Sequence, residues 1–146
     1  MAHEGMVHAL KEIWRVLAPG GLLLDVRPFS ANMPVEVVGA AGAAMAAGEM
    51  HESEDGRADD QAANAAMRAI EREGLFARER EGTFDFLWYW DTPDEMQAYV
   101  AEKWTDTYLP DDVLAETRRL MQRTGADAQV RTSTNIIISR WRRLKE

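Results

Sequence analysis

Ala9-Leu10-Lys11-Glu12-Ile13-Trp14-Arg15-Val16-Leu17-Ala18-Pro19-Gly20-Gly21 runs straight into Leu22-Leu23-Leu24-Asp25-Val26. Upstream of the turn, Met6, Leu10, Ile13 and Leu17 recur at three- and four-residue spacing, and Val7 and Trp14 widen the stripe, which predicts an amphipathic helix over 6–17. Pro19 cannot continue the helical ladder, and the two glycines accept the backbone angles of a tight exit. The nearly continuous apolar run Leu22 to Val26 has the pattern of a strand covered on both faces, as in a parallel sheet. Helix, turn and buried strand together predict an α/β fold.

Downstream, the Ala/Gly-rich stretch from Val35 to Met50 predicts a helix whose small side chains admit a close neighbour. Glu49, Glu52, Glu54, Asp55, Asp59 and Asp60, set against a single Arg57, predict a solvated loop that becomes helical at Asp59-Asp60. Ala62, Ala65, Ala66, Ala69 and Ile70 carry that helix to Gly74, placed as the residue just past its end. Leu75 to Trp90 reads as strand, with a turn at Glu81-Gly82 and bulk on both faces from Phe84, Phe86, Trp88, Tyr89 and Trp90. Thr92-Pro93-Asp94-Glu95 and Pro110-Asp111-Asp112 each open a helix. The last element, Ala128 to Trp141, alternates Val130, Thr132, Thr134, Ile136 and Ile138 with more polar residues and predicts the longest strand. The expectation is one domain over 1–146, with three to four sheet strands near 22–27, 75–90 and 128–141 and helices packed on the sheet.

The chain has 46% hydrophobic residues, enough for a core, and a formal charge of −8. That charge repels a phosphate backbone and argues against nucleic acid as a partner. Basic residues gather only at the end, where Arg140, Arg142, Arg143 and Lys145 read as a solvated tail. The absence of cysteine excludes disulfides and thiolate chemistry and fits a cytoplasmic protein. No apolar run approaches the ~20 residues of a membrane span, so no membrane association is expected. His3, His8 and His51, the only histidines, lack the spacing of a metal triad.

The segment carrying Glu12, Arg15, Val16, Leu17, Pro19, Gly20 and Gly21 resembles the helix and turn before the fifth strand of class I S-adenosylmethionine-dependent methyltransferases. Thr92-Pro93-Asp94-Glu95-Met96 resembles a helix start found in that family's insertion before its last strand. The resemblance implies a partial Rossmann-like methyltransferase fold in which this chain is the C-terminal half of the domain. The family holds its methyl donor on a Gly-x-Gly-x-Gly loop after the first strand, with an acidic residue on the ribose after the second. Neither has a counterpart here, and Gly39-Ala40-Ala41-Gly42 follows the wrong strand. The implied function is the acceptor-side part of a methyltransferase for a small molecule, with no S-adenosylmethionine bound by the isolated chain.

In the family the fifth strand lies between the fourth and the seventh, so Leu22 to Val26 is expected to expose a bare edge. Covering its leucines is worth roughly 1.5–3 kcal/mol per side chain. A homodimer through this edge, or a separate chain supplying the cofactor half, is the expected partner. Asp25 within an apolar strand is costly unless paired; Arg27 shares its face, and both, with Phe29, are candidates to line an acceptor pocket or to form an ion pair. Trp88 and Trp90, with Phe84, Phe86, Tyr89, Tyr99 and Trp104, are candidates for an apolar pocket, for core or for a dimer face. No residue is assigned a catalytic role. Two other functions stay open: a non-catalytic module for self-association or binding, and a carrier of apolar ligands.

Overall fold

The computed structural model describes residues 2–29 and 32–144. Along the chain run α1 (Ala2–Val16), β1 (Leu22–Pro28), β2 (Asn32–Val38), β3 (Ala44–Glu52), α2 (Glu54–Arg72), β4 (Phe76–Trp90), α3 (Pro93–Lys103), β5 (Thr107–Tyr108), α4 (Asp111–Thr124) and β6 (Gln129–Arg143). The strands hydrogen-bond in the order β1-β6-β2-β3-β5, and β4 also pairs with β6. The α/β class is as expected. The strand count is six rather than three to four, and β1 joins β6 antiparallel rather than sitting in a parallel array. No helix among the described residues is long and apolar enough to cross a membrane.

The chain divides into two compact units, one of Met1–Phe29, Arg57–Phe84 and Asn135–Glu146, the other of Ser30–Gly56 and Asp85–Thr134. In the first, Leu10, Ile13 and Trp14 of α1 and Leu17 just past its end pack with Leu23 of β1 around buried Met67, Ile70, Phe76 and Trp141. The turn between α1 and β1 needs its glycines. Gly20 has φ +75, and a Cβ on Gly21 would lie 2.8 Å from the Ala18 carbonyl oxygen. Gly20 N–H donates to the Arg143 carbonyl, and Arg143 N–H donates to the Gly21 carbonyl, so the turn is tied to the end of β6. At the close of α2, Leu75 N–H reaches the Ile70 carbonyl and Gly74 N–H the Glu71 carbonyl around a Gly74 of φ +72. This is the paired C-terminal closure that a glycine past the helix permits.

Three sequence expectations fail in this unit. β1 is covered on one face only: Leu23, Asp25 and Arg27 are half-buried, whereas Leu22, Leu24 and Val26 are 45%, 62% and 56% exposed. A three-leucine run signals hydrophobicity without saying how many layers cover it. Glu81-Gly82 makes no turn, and β4 continues through it for 15 residues, matching β6 in length. The basic end is not a free tail. Arg140 and Arg142 pair with Glu79, and Arg143 donates to the Leu17 carbonyl and stacks over Trp14; Lys145 lies outside the described residues.

In the second unit the stretch predicted as a helix over 35–50 is the β2–β3 hairpin. Val35 and Val37, both fully buried, alternate with more accessible neighbours at strand period, and this outweighs the helix preference of the alanines, which Gly39, Gly42 and Gly48 already weaken. Gly39-Ala40-Ala41-Gly42 is its turn, with Gly42 at φ +83. The small residues of β3 do admit a close neighbour. A Cβ on Gly48 (φ +146) would meet Val113 Cγ2 of α4 at 2.6 Å. α2 begins five residues before the expected point, where Ser53 Oγ accepts from Gly56 N–H and Glu54 and Asp55 occupy the first turn. Thr92 caps α3 as expected, its Oγ1 accepting from Glu95 N–H.

The core of this unit gathers Met33, Val35, Met50, Met96, Val100, Val113, Leu114 and Val130, with Val37, Leu120 and Ala128 beside them. Replacing Gly48 with Ala forces both an unfavourable φ and an overlap with Val113. The expected destabilisation is about 2 kcal/mol, read from urea denaturation. Gly82→Ala, where nothing lies within 4 Å and φ is not positive, is the control and is expected to cost little.

Candidate functional site

Asp25, Arg27 and Phe29 sit at the carboxyl end of β1, in the first unit. Strand alternation turns Asp25 and Arg27 toward the face that α1 and α2 cover, with Ser139 and Ile137 of β6 as their cross-strand partners. The Arg27 Nε–H donates to both carboxylate oxygens of Asp25 at 2.9 Å, and its Nη1 donates to Asn64 Oδ1 of α2 at 2.8 Å. Ser139 Oγ donates to Asp25 at 3.4 Å and accepts from Trp141 Nε1 at 2.8 Å. The two charged side chains retain only 18% and 13% exposure. The structure thus places an ion pair where the sequence left open either a pair or a pocket wall.

The same residues also border open space. Arg27 and Phe29, with Asn64, Arg68 and Glu71 of α2 and Arg78 and Glu81 of β4, line a cleft of about 390 Å³. Its floor is Met67, Ile137, Ser139 and Trp141, all buried. Arg78 is held by Glu81 at 2.9 Å and lies over the Trp141 ring at 5.7 Å. Beside the cleft, burial raises the Asp60 carboxyl above its ordinary range; Arg27 opposes the shift and Asp59 adds to it. A second hollow of about 230 Å³ lies between α1, β1 and α2, where Met6, Leu10, Ala63, Ala66 and Met67 meet Asp25 and Arg27.

Trp88 and Trp90 belong to the second unit. Both rings pack against Tyr99 and Trp104 at centroid distances of 5.1–5.9 Å, and Phe86 meets Trp88 edge-on at 5.0 Å. Trp90 and Trp104 also back onto that unit's core. Their ring faces are largely spent on one another. Tyr89 points the other way along the strand and is exposed.

Of the residues that line the larger cleft, sequence reasoning named Arg27 and Phe29 but not Asn64, Arg68, Arg78, Ser139 or Trp141. Asn64, Met67, Arg68 and Glu71 follow three- and four-residue spacing on α2, so one polar residue among alanines was the available signal. Ile137, Ser139 and Trp141 share one face of β6 by strand alternation. Among the described residues, no group of three or more His, Asp and Glu side chains could hold a metal ion. No protein-family profile, no curated protein and no solved structure matches the chain.

Removing the Asp25 carboxylate strands Arg27 in a largely buried position. Asp25→Ala is expected to cost about 3 kcal/mol in urea denaturation. The double substitution Asp25→Leu/Arg27→Met is expected to recover most of that loss, because an apolar pair needs no counter-charge. A double variant no more stable than Asp25→Ala rejects this account of the pair.

Proposed function

We propose that this chain is the C-terminal, acceptor-side part of an S-adenosylmethionine-dependent methyltransferase for a small molecule. In this proposal it becomes active only when a polypeptide bearing the glycine-rich donor loop joins the free edge of β1. The observation that carries the reading is the pairing of β1. Its only hydrogen-bonded neighbour among the described residues is β6, the last strand, along Leu22–Pro28 against Ile136–Arg142. That is the neighbour the fifth strand has on one side in the family, and the side left open is where the fourth strand would lie. The sequence Glu12, Arg15-Val16-Leu17 and Pro19-Gly20-Gly21 stands immediately before this strand.

The residues present do not suit the methyl donor. Gly39-Ala40-Ala41-Gly42, the chain's nearest approach to a glycine-rich loop, connects two antiparallel strands and has no helix after it to offer free N–H groups. The donor therefore has to be held by residues other than these. Asp25, Arg27 and Phe29, at the carboxyl end of β1, stand where the open-sheet rule places an acceptor. An edge strand with exposed Leu22, Leu24 and Val26 favours a strand-pairing partner, either a second copy of this chain or the donor-holding polypeptide.

At micromolar concentration the chain alone is expected to sediment as a dimer, and Leu24→Glu, which places a charge on an exposed position of the edge strand, to sediment as a monomer that still melts cooperatively, at a lower temperature because the dimer's stabilisation is lost. A wild-type monomer with a cooperative melt argues against the free edge as a partner site. Calorimetry of the isolated chain with S-adenosylmethionine is expected to give no heat of binding; micromolar binding defeats the proposed division of the donor and acceptor halves.

A further inference from the structure

We infer that the 390 Å³ cleft of the first unit is a binding site for a free α-amino acid with an apolar or aromatic side chain. This goes beyond the acceptor-side reading and rests on the cleft alone, since it invokes no methyl donor. The argument is a charge balance over an apolar floor. Five charged side chains line the cleft, Arg27, Arg68 and Arg78 against Glu71 and Glu81. Asp25 pairs with Arg27 and Glu81 with Arg78, while Asp60 and Glu71 act on the same two guanidiniums at longer range. Arg68 and Glu71 are left without a direct ion-pair contact among the described residues, although the two stand three residues apart on one face of α2.

A ligand that satisfies both must carry a negative and a positive group a short distance apart. A simple carboxylate would face Glu71 uncompensated, and a simple amine would face Arg68. Arg27 adds directional donors to the anionic end. Its Nε and Nη1 are committed to Asp25 and Asn64, and its Nη2 has no acceptor among the described residues. A guanidinium fixed by a carboxylate on one side presents its remaining N–H groups in a set direction, which suits a planar carboxylate. The floor is apolar and aromatic where Met67, Ile137 and Trp141 meet, and the volume falls within the ~300–1,000 Å³ usual for small-molecule sites. An α-amino acid matches all three features: carboxylate toward Arg27 and Arg68, ammonium toward Glu71, side chain toward Trp141.

Titration of the full chain with L-phenylalanine, followed by calorimetry and by Trp fluorescence, tests this directly. Binding in the micromolar to low-millimolar range is expected, with 3-phenylpropionate and phenethylamine, each lacking one charge, at least tenfold weaker. Arg68→Ala and Glu71→Gln, both at exposed positions of α2, are each expected to weaken L-phenylalanine at least tenfold with melting temperature unchanged. The inference is overturned if L-phenylalanine does not bind at 10-millimolar order, if either single-charge analogue binds as well, or if both variants bind like the wild type. None of these outcomes bears on dimerisation or on the methyl donor, so failure here and failure of the proposed function are separately visible.

Discussion

Backbone pairing along β6 is the constraint on which the rest of the structure depends. A strand inside a sheet must find partners for its N–H and C=O groups, and β6 finds them in β1, β2 and β4. Its buried residues serve both units. Val130 and Thr132 belong to the second, and Ile137, Ser139 and Trp141 to the first. Alternation holds within each unit, with Val130 and Thr132 on one parity and Ile137, Ser139 and Trp141 on the other, so the buried face of the strand changes between Thr132 and Ile137. The two buried polar members are each satisfied: Thr132 Oγ1 donates to the Pro34 carbonyl, and Ser139 links Trp141 to Asp25. Neither hydroxyl is left without a partner, which is the condition for placing it in a core.

Legibility in the sequence followed the range of the interactions. Thr92 and Gly74 were readable because a cap or a helix exit is settled within a few residues. The β2–β3 hairpin was not, because alanine and glycine carry little periodicity and the deciding fact, Gly48 lying against Val113, spans 65 residues. The continuation of β4 through Glu81-Gly82 was misread for a related reason. A glycine permits a turn without requiring one, and pairing with a long strand such as β6 keeps the backbone extended. For the candidate site, the charge inside an apolar strand announced Asp25 and Arg27, whereas Asn64, Ser139 and Trp141 join them only through the packing of α2 and β6 on β1.

The Asp25–Arg27 pair illustrates how a fold keeps a costly group. Neither side chain would be tolerated alone at its depth, and each satisfies the other through two hydrogen bonds. Asn64 and Ser139 fix the orientation of the pair, so the guanidinium faces one way and the apolar floor of the cleft is left intact. Rigidity of this kind is what a recognition surface requires, because a donor that is already oriented loses little entropy when it meets its ligand. The aromatic cluster of the second unit is the contrasting case, with ring faces occupied by other rings and little left to offer a ligand.

The knot of hydrogen bonds between Gly20, Gly21 and Arg143 joins positions more than 120 residues apart. During synthesis, α1 and the leucine strand emerge long before β6, the strand's hydrogen-bonded neighbour among the described residues, has been made. Throughout that interval both borders of β1 are unprotected, and the nascent polypeptide presents a sticky ribbon that β6 later conceals along one border.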